Sequence, residues 1–371
     1  MRVLLVTNDF PPRPGGIQSF LAGVVERLPA DDVVVYTSRW RGWKDWDAAQ
    51  PFTVVREGTS VLLPTPQVRR RAAALLAEHE CDAVWFGATA PLGVLAGALR
   101  RAGARRVVAT THGHEVGWAA VPGGRHLLRR IGGEVDVMTY LGDYTRTRLA
   151  SALGPNAGRL QPLAPGVDGA VFRPGLGAER RAALGLADRP VIVCVSRLMP
   201  RKGQDVLIRA LPAVRRKVPD AALLLVGGGP SRDRLRSLVE TLGLAESVVL
   251  TGSVPWPQLP SYYCAGDVFA MPCRTRLGGV DVEGLGIVFL EAAACGLPVV
   301  AGDSGGAPDA VRDTETGYVV DGRDVPALAE RLVGLLADPV AAQAMGAAGR
   351  AWVEQEWSWE RTVQALSTYL T

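Results

Sequence analysis

Val191-Ile192-Val193-Cys194-Val195 runs directly into Ser196-Arg197-Leu198-Met199-Pro200-Arg201-Lys202-Gly203 and then into the helical pattern Gln204–Lys217. Five consecutive apolar residues without polar alternation indicate a strand covered on both faces, as in a parallel α/β sheet. The same unit of apolar run, turn and helix recurs in both directions. Downstream lie Ala222–Val226, Ser247–Thr251, Val268–Met271, Pro298–Ala301 and Gly317–Val320, with Arg232–Leu242 as a second intervening helix. Upstream lie Val3–Val6, Val33–Tyr36, Ala83–Phe86, Val107–Ala109 and Val135–Thr139, separated by amphipathic or glycine-rich stretches. Two series of βα repeats predict an α/β protein of two doubly wound, Rossmann-like domains. Prolines and Gly166 interrupt regular structure across Pro162–Pro174 and place the boundary there, giving domains of 1–165 and 166–353. Val340–Leu370 reads as helix throughout, with Trp352, Trp357 and Trp359 as packing anchors. Its end, 354–371, is expected to pack back on the first domain.

The length of 371 residues suits two domains. Hydrophobic residues at 48% and charged ones at 21% exclude a disordered, collagenous or coiled-coil chain. The first residues, Met1–Asp9, reach a charge within nine positions and no later apolar run approaches the ~18 residues that span a bilayer, so neither export nor a membrane span is expected. Cys81, Cys194, Cys264, Cys273 and Cys295 are scattered, odd in number and without C-x-x-C spacing. That pattern predicts reduced thiols in a cytoplasm and no zinc site. Residues 1–165 carry 20 basic and 14 acidic side chains, residues 166–371 carry 21 and 23. A modestly positive first half favours anionic ligands or membrane surfaces, but lacks the strong basicity of a nucleic-acid binder, and no nucleic acid is expected as partner. Gly227-Gly228-Gly229-Pro230 lacks the third glycine of G-x-G-x-x-G, which argues against a dinucleotide-dependent oxidoreductase.

Open α/β sheets bind ligands beyond the carboxyl ends of their strands, so the strand-to-helix turns carry the chemistry. In Asn8–Ile17, the paired Gly15 and Gly16 at a helix start let backbone N–H groups approach a phosphate; a plain tight turn uses the same residues. Arg197 and Lys202 are five apart across a bend and can converge on one anion. Lys202 is one of only three lysines, with Lys44 and Lys217, in a chain of 41 cations. In Glu283-Gly284-Leu285-Gly286-Ile287-Val288-Phe289-Leu290-Glu291, a carboxylate in a glycine-rich loop precedes one inside an apolar helix start. Glu291 is costly to bury alone and is expected to grip hydroxyls or cap backbone donors. Asp45-Trp46-Asp47 has the D-x-D spacing of metal-dependent transferases, but no strand precedes it, and it reads as solvated loop.

The glycine-rich first turn, the S-R-L-x-x-R-K-G turn and E-G-x-G-x-x-x-L-E-A-x-A-x-G-x-P-V-V together resemble the retaining GT-B glycosyltransferases of family four. The resemblance extends over the whole chain, including Leu163–Asp168 with Phe172-Arg173-Pro174, and Asp303, Gly305, Gly306 and Pro308. Ala164 stands where asparagine is commoner in the family. The resemblance implies a GT-B architecture with its active site in an inter-domain cleft, the first domain binding the acceptor and the second the nucleotide sugar. It implies that Arg197 and Lys202 neutralise the diphosphate, that Gly15 and Gly16 offer N–H groups, and that backbone amides of Ile287 and Val288 add donors. Glu291 is implied at the ribose, Glu283 at the transferred sugar, and Val254 at the base. His112, in Thr111-His112-Gly113-His114-Glu115, matches a histidine beside the donor sugar, with His114 as competitor. No metal or other cofactor is implied, since cations at the leaving group stabilise the charge that develops there.

Within the family, Thr111–Trp118 and Pro272–Arg276 before Asp281–Gly284 resemble actinobacterial mannosyltransferases of phosphatidylinositol mannoside synthesis. The implied partners are GDP-mannose as donor and a lipid-linked acceptor, with peripheral contact at the cytoplasmic face of the membrane. Trp40, Trp43 and Trp46 beside Arg39, Arg41 and Lys44, and Arg69-Arg70-Arg71, suit an anionic interface; an acceptor-loop core and a solvated helix face use the same residues. The alternatives are a UDP-sugar transferase with a soluble acceptor and a non-enzymatic nucleotide-sugar or lipid sensor.

Overall fold

A computed structural model describes residues 1–371. The chain forms two compact units, Met1–Gly166 with Trp359–Thr371, and Val167–Ser358.

The first unit is built on seven parallel strands: β1 (Val3–Thr7), β2 (Val33–Thr37), β3 (Thr53–Arg56), β4 (Ala83–Phe86), β5 (Arg106–Ala109), β6 (Val137–Tyr140) and β7 (Leu160–Pro162), in the order β3-β2-β1-β4-β5-β6-β7. Successive strand side chains point to opposite faces, so each uninterrupted apolar run feeds two cores at once. Leu4, Val6, Val84 and Phe86 enter one core, beneath Leu75 and Leu99 of the helices. Val3, Leu5, Ala83 and Trp85 enter the other, with Leu21, Val24 and, from the last helix of the chain, Leu366. The two outermost strands, β3 and β7, escape the sequence pattern because they are largely half-exposed and carry few apolar residues.

The second unit holds six parallel strands: β8 (Val191–Val195), β9 (Ala222–Val226), β10 (Val248–Gly252), β11 (Val268–Met271), β12 (Val299–Gly302) and β13 (Gly317–Val320), in the order β10-β9-β8-β11-β12-β13.

The expected continuous helix over Val340–Leu370 is two helices, Pro339–Glu356 and Trp359–Leu370. The break has a hydrogen-bonding cause: the Trp357 carbonyl accepts the Val167 N–H at 2.7 Å, and Val167 pairs with Ser358 as an isolated parallel bridge. The unit boundaries accordingly fall at Gly166/Val167 and Ser358/Trp359, and Glu354–Ser358 stay with the second unit. The final helix is fixed in the first unit by Trp359, which stacks on Phe20 with centroids 6.2 Å apart. A Cβ at Gly23 would lie 2.6 Å from the same indole, so only glycine lets the ring seat there. Asp45–Asp47 also departs from expectation: it lies in the helix Trp43–Ala48, where Trp46 packs on Phe10 and Asp47 pairs with the buried Arg56 at 2.7 Å. No single helix is long and apolar enough to cross a membrane.

Candidate functional site

The loops beyond the carboxyl ends of β8 to β12 gather most of the residues singled out from the sequence. After β8, the Ser196 N–H donates to the Val226 carbonyl at 3.0 Å and the Leu198 N–H to that of Gly228 at 2.9 Å. Gln204 clamps the turn from the helix Gln204–Arg215, donating to Ser196 Oγ at 2.8 Å and to the Arg197 carbonyl at 3.1 Å. The Arg197 backbone is thereby fixed, while its side chain is exposed and makes no ion pair. Gly203 closes the turn at φ +79°, and a Cβ there would lie 2.0 Å from the Pro272 carbonyl oxygen.

Lys202 does not project into solvent. Its ammonium lies 2.6 Å from Glu283 Oε2, and both side chains are nearly buried. Glu283 is held through its backbone, its N–H donating to Ser304 Oγ at 3.2 Å and its carbonyl accepting the Gly306 N–H at 2.9 Å. Beside it, Arg201 pairs with Asp281 at 3.4 Å, and Asp281 pairs in turn with Arg276 at 3.3 Å. The motif thus delivers an internally neutralised pair, Lys202 and Glu283, next to a free cation at Arg197.

The helix Ile287–Ala294 begins after Gly286, which supplies no side-chain cap. The N–H groups of Ile287 and Val288 have no acceptor in the chain, leaving the positive end of the helix dipole available to an anion. One turn further in, Glu291 is buried and accepts a hydrogen bond from the Tyr263 hydroxyl at 2.5 Å. Burial pushes its carboxyl up to about 7, an effect the Tyr263 bond only partly offsets. Tyr263, itself buried beside this carboxylate, is held well above its ordinary value. Glu291 therefore grips a tyrosine hydroxyl and caps no backbone donor. Val254, half-buried, follows β10 in the neighbouring loop.

Gly15, Gly16 and His112 belong to the first unit. The helix Gly16–Val25 starts at the second glycine without a side-chain cap, and both glycines are exposed. His112 follows β5. Its Nε2 lies 2.5 Å from the Gly87 carbonyl, which can only accept, so this nitrogen carries the proton and Nδ1 keeps its lone pair. Burial lowers the pKa of the imidazole, which favours the neutral ring. The His112 N–H donates to Glu115 Oε2 at 2.9 Å. His114 instead is exposed, its Nε2 3.4 Å from the other Glu115 oxygen. Of the two histidines, His112 is the one whose ring is fixed on a backbone carbonyl with Nδ1 left as an acceptor.

The sequence reading missed Tyr263, Gln204 and the part played by Arg201. Arg201 stood inside the quoted turn and was available; Tyr263 reaches Glu291 across 28 positions, a separation no local spacing signals.

Two doubly wound parallel-sheet units with a cation-bearing turn and two buried carboxylates define the class of two-domain glycosyltransferases. Solved structures share the fold: that of Anabaena Alr3699/HepE in complex with UDP superposes with a TM-score of 0.83 at 21% identity, covering 100% of this chain and 99% of that one. A sucrose-phosphate synthase from Thermosynechococcus elongatus gives 0.79 at 24%, covering 99% and 98%. Residues 14–170 match the model of Glycosyltransferase Family 4, and residues 178–352 that of Glycosyl transferases group 1. The GDP-mannose-dependent alpha-(1-6)-phosphatidylinositol monomannoside mannosyltransferase of Mycolicibacterium smegmatis is 54% identical, covering 100% of this chain and 98% of that protein. The monoacylated-acceptor enzyme of the same kind from Corynebacterium glutamicum is 48% identical, covering 100% and 97%. The chain belongs to this family of mannosyltransferases.

Proposed function

We propose that this protein transfers mannose from GDP-mannose to a phosphatidylinositol monomannoside, with retention at the anomeric carbon. The observation that carries the reading is 54% identity maintained over the whole chain to an enzyme of that activity, with Arg197, Lys202 and Glu283 in the turns after β8 and β11 and Glu291 in the helix that follows.

Breaking the sugar–phosphate bond builds negative charge on the departing diphosphate and oxocarbenium character on the sugar. The exposed Arg197 guanidinium and the Lys202 ammonium receive the diphosphate, and the unpaired N–H groups of Ile287 and Val288 add donors. In the first unit, Gly15 and Gly16 stand exposed at the start of an uncapped helix, whose N–H groups suit an anion in the same way. Glu291 exchanges the Tyr263 hydroxyl for ribose hydroxyls, Val254 lies against the base, and Glu283 holds the hexose. His112, in the first unit, keeps Nδ1 as an acceptor of the kind a sugar hydroxyl uses. Charge neutralisation by side chains makes a divalent metal unnecessary, so turnover persists in EDTA. The acceptor is lipid-linked, and the enzyme works as a peripheral protein at the cytoplasmic face of the membrane.

The test is a donor panel of GDP-mannose, UDP-glucose and UDP-N-acetylglucosamine, each offered with phosphatidylinositol monomannoside and with soluble acceptors, the products read by mass spectrometry. A hexose added to the lipid from GDP-mannose alone is the expected result. Turnover of a UDP-sugar on a soluble acceptor replaces this reading with the related-transferase one, and turnover of none with the sensor reading.

A further inference from the structure

The Lys202–Glu283 pair poses a problem for the reaction proposed above, on which this inference rests. An ammonium 2.6 Å from a carboxylate is committed to it. When Lys202 turns to the diphosphate, Glu283 is left nearly buried without its close counter-charge, a state that strongly disfavours the move. Arg201 stands where that charge can be received. Its Nε lies 3.9 Å from the same Glu283 Oε2, is buried, and has no hydrogen-bond partner. Its Nη1 is tethered to Asp281 Oδ1 at 3.4 Å, and its carbonyl accepts the Arg274 N–H at 2.8 Å, so the fork is aimed while one donor stays unused. Closing the gap to Glu283 takes a shift of about 1 Å to reach hydrogen-bond distance. A planar guanidinium can hold Asp281 through one nitrogen and Glu283 through another, which a lysine at this position cannot do.

We infer that Arg201 is a positioning residue that takes over the charge of Glu283 when Lys202 engages the diphosphate, keeping Glu283 paired and in place for the hexose. The unused Nε–H is then the reserved donor of a two-position lysine switch. Glu283 is never unpaired: it faces Lys202 before the nucleotide binds and Arg201 afterwards.

The experiment is calorimetry with GDP on the full chain. Arg201→Gln weakens GDP binding by about tenfold or more, because Lys202 can no longer leave Glu283 without stranding it. The same substitution made in a Glu283→Gln background changes GDP affinity by less than about twofold, since no carboxylate remains to strand. Arg201→Lys keeps the charge without the fork and gives an intermediate loss, likewise abolished by Glu283→Gln; it serves if Arg201→Gln fails to fold. An equal loss in both backgrounds assigns Arg201 a purely structural role and overturns the inference, as does no loss in either. Lys202→Ala is measured alongside: if it binds GDP as tightly as the wild type, the donor-site reading itself fails, independently of Arg201.

Discussion

Lys202 and Arg197 are both cations of one turn, yet they bear on stability differently. Lys202→Ala removes the close partner of a nearly buried carboxylate, a loss on the order of 3 kcal/mol that Arg201 can only partly offset. Arg197 is exposed and unpaired, and Arg197→Ala leaves the unfolding temperature close to that of the wild type. Both substitutions lower kcat/KM by about a hundredfold or more, because each removes charge opposite the departing diphosphate. Thermal unfolding and initial rates on the two variants separate these effects, and near-normal rates in both refute the donor assignment. Glu291 couples stability and binding in opposite senses. Its carboxyl is raised from 4.5 to about 7, so between those values the folded chain holds a proton that the unfolded chain has released. Stability present below the lower value is therefore lost as pH rises through the upper one. Glu291→Gln removes that titration and is more stable than the wild type at pH 8 by up to about 3 kcal/mol, the difference shrinking towards zero at pH 5. Its GDP affinity falls by ~1.5–3 kcal/mol, since an amide cannot accept two charge-assisted bonds from the ribose. A variant no more stable than the wild type at pH 8 contradicts the burial argument.

At the scale of elements, legibility followed burial. β4, β8, β9 and β11 have the bounds their apolar runs predict, because both faces of an inner strand must be apolar and the run then ends where the strand ends; β13 matches too, although it lies at a sheet edge. β3 and β7 gave no signal because an edge strand needs fewer apolar residues. The motif turns were legible for the same reason that they are rigid: glycines and carboxylates sit where backbone crowds backbone, as Gly203 does against Pro272. What stayed hidden was pairing. Neither the Lys202–Glu283 contact, 81 positions apart, nor Tyr263 on Glu291 leaves a trace in spacing, and the helix break at Trp357 depends on Val167 arriving from 190 positions upstream. That break makes the helix Trp359–Leu370 a separate element, seated by Leu366 and Leu370 in the core and by the Trp359 ring in its slot. Gly23→Val fills the slot, and Trp359→Ala empties it; each is expected to cost about 2–4 kcal/mol. Combined, they cost less than the sum, because valine then occupies space the indole has vacated. Chemical denaturation of the three variants gives the coupling, and strict additivity contradicts the packing described.

Over the whole molecule, basic charge is concentrated in the first 165 residues, 20 cations against 14 anions, while the remainder carries 21 against 23. On the proposed reading of a lipid-linked acceptor, the side chains of this half able to respond to an anionic surface are those not already neutralised. Trp40 is exposed with Arg13 over its ring at 5.0 Å, and Trp43 is flanked by Arg39 and Lys44 at 5.4 and 5.9 Å, so these cations remain unpaired by carboxylates while ordered on aromatic faces. On the helix Pro66–Glu78, Arg69 and Arg70 are exposed without ion pairs, whereas Arg71 is matched by Glu78 at 2.9 Å. Each unpaired cation near an anionic bilayer contributes ~1 kcal/mol, and salt screens the contribution. Arg69→Ala with Arg70→Ala should therefore weaken binding to phosphatidylglycerol-containing vesicles by ~2 kcal/mol, while Arg71→Ala, which also frees Glu78, weakens it by no more than either single change. Binding to purely zwitterionic vesicles stays weak in all variants, and raising the salt brings wild type and double variant together. Turnover of a detergent-dispersed acceptor is unchanged by the double substitution, since neither arginine belongs to the donor machinery. Co-sedimentation across a salt series measures these differences; equal binding to anionic and zwitterionic vesicles would show that the charge of the first half has no part in membrane contact.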